Sequence, residues 1–171
     1  MGNFSIPAKD DATLNPMSEA LHVREAGTAD ADCVTQFSLA CARESENLIL
    51  DEAVVRAGVE TALADATRGR YFLAELAAKA VGQVMITREW SDWRNTWIWW
   101  LQSVYVSGEA RGQGVFAAVY EHIENLAREH GVALIRLYVD QANDGAERAY
   151  IKAGFERDHY HQMAKPLDSS H

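Results

Sequence analysis

The apolar and polar positions of the chain begin to alternate at Leu21, so residues 21–24 predict a short strand. Apolar positions then recur with helical spacing in two stretches. The first helix is predicted to open at Thr28, its N-cap, and to stop at a polar break over residues 44–47. The second is predicted over residues 51–66. The first third of the chain therefore has the order β-α-α.

Three strands are predicted next, over residues 71–76, 81–88 and 96–106. The connection at residues 77–80 is predicted as a turn, although it lacks the usual Asn-Gly pair. The third strand is so apolar that we expect it to be buried on both faces. Short connections between consecutive strands favour antiparallel pairing, so this section predicts an antiparallel meander.

After Val106 the pattern changes to alternating helices and strands. A helix is predicted to open at residues 111–114, to run to about His130 and to stop at Gly131. The remaining elements are a strand over 133–139, a short helix over 143–153 ended by Gly154, and a last strand over 155–165. The complete order is β-α-α-β-β-β-α-β-α-β.

Length and charge narrow the classes of function. A chain of 171 residues corresponds to one domain. Its 25 acidic and 16 basic residues give a net charge of -9, which argues against a nucleic-acid partner. No apolar run is long enough to span a membrane, and residues 1–20 lack the features of a signal peptide. We predict a flexible tail over 1–20, one domain over 21–167 and a C-terminal tail over 168–171.

The two cysteines, Cys33 and Cys41, lie on one predicted helix. A separation of eight residues corresponds to about 12 Å along a helix, whereas a disulfide needs Cα atoms within roughly 7 Å. We therefore expect two free thiols, which fits a cytoplasmic protein.

The strongest local motif is Arg111-Gly112-Gln113-Gly114 at the start of a helix that follows a strand. Two glycines let backbone N–H groups approach a ligand, and a helix N-terminus favours an anion. This arrangement favours pyrophosphate binding, although the glycines could instead serve only the turn. The letters also match a dinucleotide fingerprint, but that motif should follow the first strand of a parallel unit. Here it follows an antiparallel meander, and the P-loop pattern is absent.

A second motif follows about 30 residues later, and its matching positions are Asn143, Ala146, Tyr150, Gly154 and Phe155. Together with Arg111-x-x-Gly114-x-Phe116, it resembles the GNAT superfamily of acyl-CoA-dependent N-acetyltransferases. The resemblance covers about residues 21–167. It implies a single-domain α/β fold of the α+β type, with a mixed, mostly antiparallel central sheet flanked by helices on both faces.

The resemblance also implies how acetyl-CoA would be bound, with no metal. The co-substrate would lie between the strands at 96–106 and 133–139, and backbone groups of Val104 and Val106 would pair with its pantetheine arm. Asn143 would bond the same arm, and Tyr150 would be the general acid for the leaving thiolate. The pyrophosphate would be held by backbone amides of Arg111, Gly112, Gln113, Gly114, Val115, Phe116 and Ala117.

Two positions depart from the family pattern. Phe116 stands where the family usually has glycine or alanine, so its side chain must point away from the phosphates, into the helix–sheet core. Gln102 stands where many members carry a glutamate base, and an amide cannot titrate. The base would be Glu46 or, less favoured, Glu44, and Glu89 is a weaker candidate for site contact. Each of these carboxylates could equally be a solvated charge.

The five tryptophans lie between residues 90 and 100. Trp97, Trp99 and Trp100 are expected in the sheet core. Trp90 and Trp93 lie in a polar connection, where they could line the acceptor pocket with Glu46 and Gln102, stack on an amine, or form a homodimer contact. His159 and His161 would share one face of the last strand and are too few for a zinc site.

The predicted function is transfer of an acetyl group from acetyl-CoA to a primary amine, by direct attack in a ternary complex. The acceptor would be a small molecule or a peptide amine, which the sequence does not identify. The alternative is a non-catalytic module that binds acyl-CoA as a sensor or as a partner subunit.

Overall fold

A computed structural model of the protein describes residues 21–167. The predicted tails at 1–20 and 168–171 lie outside the described residues. The described residues divide into two compact units, 21–138 and 139–167, and each is described by itself.

Among the described residues, the first unit contains a five-stranded sheet, three α-helices and two short 3-10 helices, Thr28–Asp30 and Gly108–Ala110. Its strands are β1 (Leu21–Glu25), β2 (Arg70–Leu76), β3 (Lys79–Ser91), β4 (Thr96–Val106) and β5 (Leu134–Leu137). Its helices are α1 (Ala31–Glu46), α2 (Glu52–Ala64) and α3 (Val115–Glu129). The strands follow the order β1-β2-β3-β4-β5, and only the pair β4–β5 is parallel. This confirms the predicted mixed, mostly antiparallel sheet.

The two faces of the sheet are covered by different helices. On one face, Val34 of α1 and Val59 of α2 pack with Tyr71 and Leu73 of β2 in a buried cluster. We call this the α1–α2 face. On the other face, the α3 face, α3 buries one apolar stripe at helical spacing, made of Val115, Val119, Ile123 and Ala127. Helices therefore lie on both faces, as predicted.

The first helix begins and ends about three residues later than predicted. Both Glu44 and Glu46 lie in the last turn of α1, and the helix ends at Asn47 in the left-handed conformation, with φ 53°. Glutamate is a good helix former, so the polar stretch continued the helix and did not break it. At the other end, Thr28–Asp30 forms a 3-10 turn, and Asp30, not Thr28, is the N-cap of α1.

The hairpin between β2 and β3 turns through only two residues. Ala77 and Ala78 both have positive φ, 48° and 63°. Such a turn matches the twist of the strands but normally uses Asn and Gly. Pairing of Leu76 with Lys79 across the turn imposes this conformation on two alanines.

The second unit contains α4 (Asp144–Lys152), which Gly154 follows with φ 93°. The predicted last strand is wrong, because residues 155–165 form no strand or helix in the described chain. Tyr160 is 64% exposed and Met163 is 93% exposed, so the segment has no buried face of the kind that stabilises a strand.

The predicted burial of β4 on both faces is correct only in part. Ile98, Trp99 and Leu101 are buried, whereas Trp97 and Gln102 are exposed and Trp100 is half-buried. Of the three tryptophans expected in the sheet core, Trp99 alone is fully buried. The exposed part of β4 is where the candidate site begins.

Candidate functional site

A β-bulge interrupts β4 in its second half. Gln83 pairs with Tyr105 and Met85 pairs with Gln102, so two residues of β4, Ser103 and Val104, lie opposite one residue of β3. Ser103 has φ 48°, a conformation rare for a residue with a side chain. A bulge of this kind leaves the extra residue outside the regular ladder of hydrogen bonds. Backbone groups of β4 are thereby re-aimed at this point.

The side chains of Gln83, which is buried, and Cys41, which is half-buried, hold the bulge. The Gln83 side chain is fully buried, and its Nε2 donates to the Ser103 carbonyl at 3.3 Å and to Ser38 Oγ at 3.1 Å. The Cys41 thiol, from α1, donates to the Val104 carbonyl at 3.6 Å. Burial raises the pKa of Cys41, which keeps the thiol protonated as a donor. Cys33 and Cys41 are both free thiols, as predicted.

Beyond the middle of the sheet, β4 loses its parallel neighbour. The β4–β5 pairs run from Ile98–Leu134 to Leu101–Leu137, where β5 ends. Strand β4 continues beyond this point, through the bulge, to Val106. Where β4 continues without β5 beside it, its backbone N–H and C=O groups on that side are available to bind a ligand. The bulge lies on this unpaired stretch.

The glycine motif forms the turn between β4 and α3. Gly112 and Gly114 have φ of 75° and 81°, which is the region that glycine adopts without strain. A Cβ added at either glycine would meet no protein atom within 4 Å. Val115 then starts α3, whose first N–H groups have no partner within the helix. Open space in front of a helix N-terminus is a suitable site for an anion.

The Arg111 side chain folds back against the sheet. Its Nε donates to the Val106 carbonyl at 3.0 Å, and its guanidinium lies over the Tyr105 ring at 5.8 Å. It also forms an ion pair with Glu44, which accepts a second hydrogen bond, from the Tyr105 hydroxyl, at 3.1 Å. The Arg111 hydrogen bond holds the pKa of the Glu44 carboxyl below its usual range. This cluster ties the glycine loop to the end of α1.

Phe116 does not enter the helix–sheet core. It is half-buried beside the buried stripe of α3, and its ring stacks on that of Tyr120 at 6.2 Å. The stack accommodates a large side chain at the second position of the helix, where the expected residue would be glycine or alanine.

The α1–α2 face of β3, β4 and β5 carries a polar and aromatic surface. Gln102 Nε2 donates to Thr87 Oγ1 at 2.7 Å. One pair of residues further along, Trp100 Nε1 donates to Glu89 Oε2 at 2.6 Å, and the Trp100 ring stacks on Tyr138 at 4.6 Å. Arg136 of β5 lies opposite Trp100 in the register. Glu89, the weaker candidate in the sequence, is therefore part of the same surface as Gln102.

The remaining residues of the predicted acceptor pocket are not brought together. Trp90 pairs with Trp97 and lies on the α3 face, where the two rings meet edge-on at 5.1 Å. Gln102 lies on the opposite face, because side chains alternate along a strand. Trp93 is 85% exposed in the β3–β4 turn. Grouping Trp90 with Gln102 was wrong, since the sequence does not show which face each residue occupies.

Glu46 is exposed at the end of α1 and makes no hydrogen bond or ion pair with any described residue. Glu44, which the sequence ranked lower, is the glutamate that reaches the glycine loop. The helix accounts for the difference, because side chains two residues apart point in directions about 160° apart around the helix axis.

In the second unit, Asn143 is the N-cap of α4, and its Oδ1 accepts from the Ala146 N–H at 3.0 Å. Its Nδ2 has no acceptor among the described residues. Tyr150 is half-buried, and its ring meets that of Phe155 edge-on at 6.0 Å. His159 is not on a strand; its Nδ1 lies 3.0 Å from Asp158.

Three further observations concern residues 21–167. A cavity of about 230 Å³ lies on the α3 face, lined by Arg88, Trp97, Trp99 and His130 among others, away from the glycine loop. No group of His, Cys, Asp or Glu within the described range could hold a metal ion. No helix there is long and apolar enough to cross a bilayer.

Sequence reasoning missed three residues that build the site: Gln83, Cys41 and Arg136. The one sequence signal for Gln83 was its place in an otherwise apolar strand, because a glutamine buried there needs hydrogen-bond partners. Nothing in the spacing of Cys41 or Arg136 distinguishes them, because their positions depend on which strands become neighbours.

Comparison with known proteins gives consistent results. The model of the acetyltransferase (GNAT) family matches residues 38–155. The aminoalkylphosphonate N-acetyltransferase of Salmonella typhimurium is 28% identical over 138 residues, which cover 81% of this chain and 86% of the relative. A possible acetyltransferase from Clostridium difficile 630 has a similar structure, with a TM-score of 0.82 and 33% identity over 88% of this chain and 99% of the other.

A predicted acetyltransferase with acetyl-CoA from Clostridium acetobutylicum has a TM-score of 0.69 and 15% identity, over 88% of this chain and 99% of that chain. At that identity the likeness concerns the fold alone.

Proposed function

Because the chain belongs to the GNAT family of acetyl-CoA-dependent N-acetyltransferases, we propose that it acetylates a primary amine by direct attack in a ternary complex. The observation that carries this proposal is the second half of β4. There the pairing with β5 has ended, a bulge re-aims the backbone at Ser103–Val104, and the strand leads into a glycine turn at a helix N-terminus.

The residues at the glycine turn fit a pyrophosphate. The space in front of Gly112 and Gly114 is not blocked by any Cβ, so backbone N–H groups between residues 112 and 117 would reach phosphate oxygens there. The N–H groups of Arg111 and Gln113 donate to the carbonyls of Gly108 and Ala110 at 3.4 Å, and these long bonds would have to give way for the two groups to take part. Arg111 would position the turn through its bonds to Val106 and Glu44, and the turn's backbone would bind the phosphates. The Nδ2 of Asn143 and backbone groups of Val104 and Val106 would bond the pantetheine arm.

In the proposed reaction, the amine nitrogen attacks the acetyl carbon, a C–N bond forms and the C–S bond breaks. A backbone N–H at Val104 or Val106 would stabilise the negative charge that develops on the acetyl oxygen. The Tyr150 hydroxyl would give its proton to the departing thiolate. Most of the acceleration would come from holding the two substrates in position.

The amine must also lose a proton, and Gln102 cannot accept it. Glu44 is engaged by Arg111 and Tyr105. The Glu46 carboxylate has no partner among the described residues, so we propose that it attracts the ammonium group of the acceptor and takes up its proton, directly or through water.

The acceptor class is a primary amine of a small molecule or a peptide. The Salmonella typhimurium relative acts on aminoalkylphosphonates, and this class belongs among the amines to be tested. A non-catalytic acyl-CoA sensor is the second candidate, favoured by Gln102, which Thr87 holds at the position where many family members have a glutamate.

The test has two stages. Coenzyme A at 100 times its Kd adds about 2.7 kcal/mol to the free energy of unfolding, which should raise the Tm by roughly 5–10 °C, whereas NADH should not. A panel of amines is then assayed with acetyl-CoA for release of the free thiol. Turnover supports the enzyme, and coenzyme A binding without turnover of any amine supports the sensor. Absence of any shift with coenzyme A overturns both.

A further inference from the structure

Arg136 is the cation on the α1–α2 face whose hydrogen bonds are not accounted for. Only 24% of its side chain is exposed, yet no described residue accepts a hydrogen bond from its guanidinium, and its buried Nε has no partner. A guanidinium carries five N–H donors. A buried donor without an acceptor is costly, so the Nε of Arg136 calls for a partner, and the acid group of a ligand is a suitable one.

The neighbours of Arg136 contact its guanidinium but accept no hydrogen bond from it. Its Nη1 forms an ion pair with Glu89 Oε1 at 3.6 Å, which is too long for a hydrogen bond and leaves the N–H donors of the guanidinium unused. The other oxygen of Glu89 accepts from Trp100 Nε1 at 2.6 Å, so Glu89 contacts both Trp100 and Arg136. The guanidinium lies 5.5 Å from the centre of the Trp100 ring. A planar guanidinium held in this way matches the two oxygens of an acid group.

The position of Arg136 links it to the acceptor. Arg136 lies opposite Trp100, which is two residues before Gln102 on the same face of β4. The exposed Tyr138 stacks on Trp100 and extends this surface. The chain as a whole carries a net charge of -9, so an anionic ligand needs a local cation to offset the repulsion.

We infer that Arg136 recognises an acid group on the acceptor, which is therefore a small primary amine that also carries a carboxylate or a phosphonate. Trp100 and Tyr138 form the wall beside it, and Arg136 is a specificity-determining residue. The inference rests on the proposed function, because the amine of this acceptor is the group that becomes acetylated.

The experiment compares amines that differ in charge, using the full chain and acetyl-CoA. The acidic probes are 2-aminoethylphosphonate and 3-aminopropanoate, and the reference probes are n-propylamine and 1,3-diaminopropane. The variants are Arg136→Gln, Arg136→Lys and, as a matched control on the opposite face of the sheet, Arg88→Gln. Binding of 2-aminoethylphosphonate to the coenzyme A complex is also measured by calorimetry. Melting curves establish that each variant is folded.

We expect kcat/KM to be at least about 10-fold higher for the better acidic probe than for n-propylamine. Arg136→Gln should lower this value by about 10- to 100-fold, through KM, because a charge-assisted pair is lost. It should change n-propylamine turnover less than about 2-fold. Arg136→Lys should recover only part of the loss, since an ammonium cannot make the bidentate contact. Arg88→Gln should have little effect on either class.

The inference is overturned if the reference amines are preferred, or if Arg136→Gln lowers turnover of all amines equally. It is also overturned if 2-aminoethylphosphonate and 3-aminopropanoate neither bind nor react. If 2-aminoethylphosphonate binds in a way that depends on Arg136 but no amine is acetylated, the proposed function fails and the binding role of Arg136 stands.

Discussion

The glycine turn after β4 is a site made of backbone groups, whereas the aromatic surface in the middle of β4 is made of side chains. At the turn, backbone conformation is decisive: Gly112 and Gly114 have positive φ, and a Cβ added at either glycine would meet no protein atom within 4 Å. In the middle of the strand, the surface consists of side chains, with Trp100 held by Glu89 and stacked on Tyr138.

The difference explains how freely each region can vary. A site made of backbone groups requires particular residues, such as glycine, at a few positions and accepts many residue types at the others. Phe116 is an example, since its side chain stacks on Tyr120. A site made of side chains can change its ligand through single substitutions without altering the fold. The first kind of site suits a co-substrate that a whole family shares, and the second suits an acceptor that differs between members.

The largest effect is expected for acetyl-CoA binding at the glycine turn. Gly114→Val places a branched side chain in the space proposed for the phosphates, at φ 81°. We expect the Kd for acetyl-CoA to rise roughly 100-fold, because charge-assisted hydrogen bonds worth about 1.5–3 kcal/mol each are lost. Calorimetric titration of the folded variant measures the effect.

The matched control is Gly108→Val, since Gly108 also faces open space but has no positive φ. The control should bind acetyl-CoA nearly as well as the parent. An unchanged Kd for a folded Gly114→Val variant would place the pyrophosphate elsewhere. Strain at this residue also lowers the Tm, so affinity is compared at a temperature where both variants are folded.

The second expected effect concerns Tyr150, which a motif identified but whose ring meets Phe155. Tyr150→Phe keeps the ring and removes only the hydroxyl. We expect kcat to fall about 10-fold, the low end for general acid catalysis, because a thiolate is already a fair leaving group. The Kd for acetyl-CoA should change little. Full activity with the best amine of the panel would assign Tyr150 to packing against Phe155 and would remove the proposed acid.

The fold was largely predictable because its elements are encoded locally. The helical stripe of α3 and the strands of the meander follow from periodicity, and residues 96–106 were predicted at the limits that β4 has. The segment 155–165 was mispredicted because its alternating letters resemble a strand, while a strand also requires a neighbour and a buried face. Alternation alone does not supply these.

The site was predictable only where its residues are close together in the sequence. The glycine turn lies within seven consecutive residues, so one motif identifies it. Gln83 and Cys41 meet β4 through pairings that span 20 and 63 positions of the chain, and no motif records such distances. Trp90 and Gln102 were grouped wrongly for the same reason, because the face of a strand is decided by register.

The smallest expected effect separates two glutamates on one turn of α1. Glu46→Gln removes a charge that has no partner among the described residues, and Glu44→Gln removes the partner of Arg111. We expect Glu46→Gln to raise the KM of the amine several-fold with unchanged acetyl-CoA affinity, because an ammonium group loses its counter-charge. Glu44→Gln should instead weaken acetyl-CoA binding, by about 5-fold or less, because an exposed ion pair is worth up to about 1 kcal/mol.

The pH dependence sharpens this contrast. The lowered pKa of Glu44 means that its ion pair with Arg111 contributes fully above the ordinary carboxyl value of 4.5 and is lost as the pH falls through the lowered value. Acetyl-CoA affinity of the parent should therefore approach that of Glu44→Gln only at strongly acidic pH. Paired titrations of both variants with acetyl-CoA and with the amine decide the assignment. If Glu46→Gln leaves the amine KM unchanged across pH, Glu46 is a solvated surface charge, and the proton of the amine is lost to water or to another group.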